Sequence, residues 1–163
     1  MSCAPLSDKC FDCMNNLSCI EDIISEKGMY VSTTFGFSMY PMLRDRRDTV
    51  IITPCSGRLK KYDIPLYKRD SRYVLHRIVK VLPDSYIIRG DNCMLSERGI
   101  TDKDIIGVMT GFYRRDKQVN MNGRLYKSYI LVCTATYPVR FIYYCLKNIT
   151  VRFVKILKGF NKI

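Results

Sequence analysis

The chain has 163 residues, of which 47% are hydrophobic, 12% aromatic and 26% charged. That is enough to bury one core, too short for two full domains with a linker, and not the composition of a disordered chain. The formal charge of +12 is concentrated at one end: residues 1–112 carry 16 Lys and Arg against 14 Asp and Glu, whereas residues 113–163 carry 11 against a single acid, Asp116. A near-neutral body with a basic end points to one anionic contact surface, lipid headgroups or a phosphate backbone, and argues against nucleic-acid binding by the whole body.

Residues 1–16 have no clear period and read as a lead-in without basic start or apolar run, so no secretory signal is expected and the chain is read as cytoplasmic. Leu17, Ile20, Ile23 and Ile24 then recur at helical spacing, and Gly28 stands where a C-cap belongs, which predicts one short helix. From Met29 the pattern changes to strands at Tyr30–Thr33, Thr49–Thr53, Tyr73–Val81 and Tyr86–Ile88, with a last one at Ile105–Tyr113. Gln118–Gly123 reads as a polar turn out of the sheet. The expected division is a lead-in and helix over 1–28, a β-rich core over 29–123 and a basic tail over 124–163.

No run in the chain is convincing as a membrane span. Wound as a helix, Val139–Ile163 puts Ile142, Leu146, Ile149, Phe153, Ile156, Leu157 and Phe160 on one face and Arg140, Lys147, Lys155, Lys158 and Lys162 on the other, the pattern of an interfacial amphipathic helix. Peripheral contact with an anionic membrane through residues 139–163 is the leading expectation. Docking of the same helix on the β body or on a second subunit is the alternative, with nucleic acid a distant third.

Chemistry concentrates in the core. In Gly36-Phe37-Ser38-Met39-Tyr40-Pro41-Met42-Leu43 a small hydroxyl stands between bulky neighbours in a turn, and alone such a serine is ordinarily a capping residue. His76, the one histidine of the chain, falls in the strand Tyr73–Val81 on the face of Val74, Ile78 and Lys80. A serine nucleophile needs a base that is neutral near physiological pH, and imidazole meets that need.

Ser38-Met39-x-Pro41-x-Leu43, His76-Arg77-Ile78, Gly90-Asp91-Asn92 and Glu97-Arg98-Gly99, in that order, resemble the type I signal peptidase family of serine peptidases. The His-Arg pair is similar to the eukaryotic and archaeal branch, in which histidine stands where the bacterial enzymes have a lysine base. The LexA-like self-cleaving repressors share the fold but carry a DNA-binding domain in front, for which the 37 residues before Ser38 leave no room. The resemblance covers about Met29 to Phe112 and implies a mainly β, antiparallel catalytic core with its site in an open groove.

Carried over by motif, Ser38 is the nucleophile and His76 the general base, Glu97 orients the imidazole and Asp91 supports it. Glu97 stands where the family usually has Asp. The oxyanion would be held by the backbone N–H of Ser38; many relatives add a hydroxyl two residues earlier, where this chain has Gly36. Residues 1–28 lack the family's N-terminal anchor helix. The expectation is therefore a small serine endopeptidase that processes leader-like peptides without a cofactor; the alternative is an inactive peptide-binding β module anchored to anionic membranes by its C-terminal helix.

The eight cysteines are read as mainly reduced thiols. Cys3, Cys10, Cys13 and Cys19 could form a closed zinc site, but only one close pair is present and the spacing is weak. Cys55, Cys93, Cys133 and Cys145 read as isolated buried residues.

Overall fold

The computed structural model describes residues 19–69 and 72–160, those from 150 onward by their backbone alone. Helix α1, Ile20–Lys27, buries Ile20 and Ile24, one turn apart, and carries Glu21 and Asp22 in its first turn where the helix dipole favours acids. It ends at Gly28, whose φ of 69° is open to glycine without Cβ strain and whose N–H bonds the Ile24 carbonyl at 3.0 Å.

Nine strands follow among the described residues: β1 Tyr30–Thr33, β2 Asp48–Thr53, β3 Pro65–Arg69, β4 Arg72–Leu75, β5 Arg77–Val81, β6 Tyr86–Arg89, β7 Glu97–Ile100, β8 Ile105–Arg114 and β9 Lys117–Val119. Six of them build one antiparallel sheet in the order β1-β2-β8-β3-β4, with β9 paired to β8; β5-β6-β7 make a second, smaller one. The protein is thus mainly β with antiparallel sheets and a C-terminal helix, as its residue pattern predicts.

Val50 and Ile52 of β2, Leu66 of β3, and Met109 and Phe112 of β8 alternate into the main core, joined by α1 and by Met39, Met42 and Leu43 of the loop after β1. A second cluster joins the sheets, with Tyr67 from the larger one against Ile78, Tyr86 and Ile88 from the smaller.

Several expectations need correction; among them, Gln118 and Val119 of the expected polar turn belong to β9. The single strand expected over Tyr73–Val81 is two strands in different sheets: β4 pairs with β3, β5 pairs with β6, and His76 is the residue between them. Alternation fails there, because His76, Arg77 and Ile78 are all buried in succession. The helix expected from Val139 begins at Arg124, and α2 runs Arg124–Phe160 with Pro138 inside it. Pro138 costs one backbone hydrogen bond, but Tyr126, Tyr129 and Ile130 pack on the main core and hold the earlier turns in place. The candidate zinc tetrad lies outside the described residues except for Cys19, an exposed thiol whose Sγ meets the Glu21 carboxylate and, at 2.9 Å, the Tyr73 hydroxyl. Cys93 is buried as expected but is disulfide-bonded rather than reduced.

Candidate active site

Ser38 sits in the loop between β1 and β2, and that loop is tied at both ends. The N–H of Thr34 bonds the Asp48 carbonyl and that of Arg46 bonds the Thr34 carbonyl, both at 2.8 Å. Asp48 is fully buried and accepts from the Arg47 guanidinium at 2.6 and 2.8 Å and from the Arg44 N–H at 3.0 Å. Burial opposes its ionisation, but those bonds and the Arg47 charge outweigh it and hold the carboxyl below the ordinary range. Directly after Ser38 the chain enters the core through Met39, Met42 and Leu43, so the serine is held on a half-buried turn with an anchored downstream side.

The turn after β6 completes the position. Asn92 donates its backbone N–H to the Ser38 carbonyl at 2.8 Å and its side-chain amide to the Phe37 carbonyl at 3.2 Å. Gly90 lies where the serine loop and the histidine converge: a Cβ there would stand 2.6 Å from the Ser38 carbonyl oxygen and 3.0 Å from His76 Nε2. Only glycine lets the two come so close to the same point.

His76 is buried, and its other ring nitrogen faces a carboxylate. Nδ1 lies 3.3 Å from Glu97 Oε1 and 3.2 Å from the Tyr67 hydroxyl, and Tyr67 in turn donates to Glu97 Oε2 at 2.9 Å. Arg69 reaches the same oxygen at 2.9 Å from the solvent side. Burial raises the Glu97 carboxyl, but the hydrogen bonds from His76 and Tyr67 and the charges of His76 and Arg69 prevail, holding it at about 2. Burial, then the charge of Glu97, pushes the Tyr67 phenol far above its usual range, so it remains a donor. A carboxylate on Nδ1 keeps the proton on that nitrogen and leaves the Nε2 lone pair directed to the Gly90 side, the tautomer a general base requires.

Asp91 goes elsewhere. Its two oxygens are taken by Arg77 Nε and Nη2, each at 2.8 Å, and the Tyr129 hydroxyl of α2 donates to Oδ2 at 3.0 Å. Arg77 is buried with it and also meets the Tyr126 hydroxyl at 3.1 Å and the Tyr62 carbonyl at 3.2 Å. Asp91 therefore supports the site through Arg77, the chain neighbour of His76, and the carboxylate beside the imidazole is Glu97.

Among the described residues neither the Oγ nor the N–H of Ser38 has a hydrogen-bond partner, His76 included. The N–H of Gly36 is already given to Asp45 Oδ1 at 2.7 Å, with Gly36 at φ 91°. Of the four residues picked by motif, Ser38 and His76 converge at Gly90, Glu97 stands on the far nitrogen of the ring, and Asp91 pairs with Arg77. Sequence reading missed Tyr67, Arg69 and Asn92; Asn92 lies within the Gly-Asp-Asn motif, whereas nothing in Pro65-Leu66-Tyr67 distinguishes Tyr67 from a core residue. Comparison of the chain with family models, with curated proteins and with solved structures finds no match.

Proposed function

We propose that the chain is a serine endopeptidase of the signal peptidase type, with the two antiparallel sheets as the core of that fold and a leader-like peptide as its substrate. The observation that carries this reading is the crowding of the Ser38 carbonyl and His76 Nε2 around Gly90, with Nδ1 of the same ring on Glu97. In this mechanism His76 Nε2 takes the proton of Ser38 Oγ as the oxygen attacks the scissile carbonyl. The imidazolium so formed is stabilised by Glu97, and its proton passes to the departing amine as the acyl-enzyme forms. Water then enters by the same base and releases the acid. The N–H of Ser38 is a donor free to meet the developing oxyanion. Serine–histidine bonds in free enzymes are commonly long and tighten on substrate binding.

A second reading, a peptide-binding module without catalysis, is favoured by Gly36, which offers no hydroxyl and whose N–H is committed to Asp45. Mass spectrometry of a peptide library rich in small residues, incubated with wild type and Ser38→Ala, separates the two. Cleavage by wild type, lowered about 10⁶-fold in the variant with unchanged thermal unfolding, is the expected result. Equal cleavage by both overturns the nucleophile, and binding of peptides without cleavage by either favours the module.

A further inference from the structure

α2 is apolar on two opposite sides, and only one of them is used. The covered stripe is Tyr126, Ile130, Cys133, Tyr137, Phe141 and Tyr144, at steps of three and four residues, which is one face of a helix. Polar bonds fix it: the Tyr137 hydroxyl donates to the Met94 carbonyl at 2.8 Å, Arg140 Nη1 to the Asp91 carbonyl at 3.1 Å, and Arg89 stacks on the Tyr137 ring at 3.3 Å from its centroid.

The other side is Leu125, Leu131, Val132, Val139, Ile142 and Ile149, from 52% to 88% exposed. Between Lys127 and Lys147 the one charged residue is Arg140, and it is turned to the body. So long a stripe of exposed large aliphatic side chains is not left bare on a soluble surface.

The charges around it identify what covers it. No Asp or Glu follows Asp116, while exposed Arg124 and Lys127 stand at the first turn of the stripe and exposed Lys147 at its last, with Arg152, Lys155, Lys158 and Lys162 further on. An apolar strip with cations at both ends and no acid matches hydrocarbon bordered by anionic headgroups. Arg124–Ile149 is long and apolar enough to cross a bilayer. Crossing would bring the Met94 and Asp91 carbonyls, and the Arg77–Asp91 pair beneath them, into hydrocarbon along with the helix face bonded to them, at a cost that disfavours it.

The geometry points to α2 lying flat in the headgroup region of an anionic bilayer, with the Leu125–Ile149 side in the lipid and the Tyr126–Tyr144 side on the protein. This goes beyond the peptidase reading and does not depend on it. It also shifts the contact from the basic end over 139–163 to the helix from Leu125 onward.

The chain has no tryptophan, so single Leu131→Trp, Val139→Trp and Ile142→Trp variants of the full chain report the outward side without background, and Asp84→Trp in an exposed turn of the body serves as control. The probes are phosphatidylcholine vesicles with and without phosphatidylglycerol, some carrying lipids brominated at shallow or deep positions. Blue-shifted emission at the three helix positions, quenched best and equally by shallow bromines, with no change at Asp84→Trp, is the expected result. Binding should be at least about tenfold stronger with phosphatidylglycerol present. The combined Leu131→Ser, Val139→Ser and Ile142→Ser variant should lose at least about tenfold in flotation while unfolding at the wild-type temperature, since those side chains touch solvent.

Quenching whose depth changes steadily from Leu131 to Ile142 would mean a crossing helix and overturn the flat orientation. Equal binding to neutral vesicles would overturn the role of the cations. Absence of a blue shift, together with dimerisation that the serine variant abolishes, would assign the face to a second copy of the chain instead.

Discussion

Two consecutive basic residues, His76 and Arg77, are each paired with a carboxylate from the segment after β6, and the two pairs differ in what they can do. Arg77 and Asp91 are both nearly sealed, with side-chain exposures of 4% and 5% and a two-pronged contact. The guanidinium cannot give up its proton, so this pair holds α2 and the Gly90 turn in place and does nothing else. His76 and Glu97 meet through one ring nitrogen, with Glu97 at 21% exposure and Tyr67 and Arg69 sharing its oxygens. Here a proton can move at the other nitrogen. Carboxylates close together in sequence thus take opposite roles according to the partner each meets.

Glu97→Gln strikes the His76 pair most directly. The amide can donate to Nδ1, which favours the wrong tautomer, so peptide cleavage should fall by about 10³–10⁴-fold at neutral pH, with a lower urea midpoint there because the ionised carboxyl and its bonds from Tyr67 and Arg69 are lost. The same variant has a stability signature in acid. The native carboxyl titrates at about 2, below its ordinary 4.5, so it contributes stability that is complete above about 4.5 and is lost as pH falls toward 2. Glu97→Gln should lack that part of the acid limb of a stability–pH profile; an unchanged limb would deny the carboxylate its charged partners.

Arg77→Met should act the other way, lowering stability by about 3–5 kcal/mol in denaturant titration because Asp91 is left buried and unpaired. Adding Asp91→Leu should return part of that loss, whereas a larger loss in the double variant would mean the pair itself is strongly stabilising. The smallest expected effect is that of Tyr67→Phe, about 1 kcal/mol of stability and a few-fold in cleavage, read in kcat, since one hydrogen bond to Glu97 goes while Arg69 and His76 remain.

Much of this site was legible in short motifs. Ser38, His76, Glu97 and the Gly-Asp-Asn turn carry side chains or turn chemistry that few other arrangements need. What escaped is where packing overrides local pattern. Tyr73–Val81 reads as one strand because β-branched residues continue through it, and only the change of pairing partner from β3 to β6 breaks it at His76. Tyr67 looks like core, and its ring is; its hydroxyl works at the site only because β3 lies beside that break. The first turns of α2 were hidden because apolar residues on both the docked and outward sides leave little helical period to detect.

The seam between β4 and β5 also works as an address. β5 enters its sheet with Arg77 opposite Arg89 and Ile78 opposite Ile88. A slip of one position in that pairing would deliver the arginine to Glu97 or, in the opposite direction, the histidine to Asp91, and in either case leave the other carboxylate facing Ile78 or Leu75, without altering composition or overall hydrophobicity. Insertions or deletions between Leu75 and Ile78 should therefore be far less tolerated than substitutions on the exposed side of the same strand.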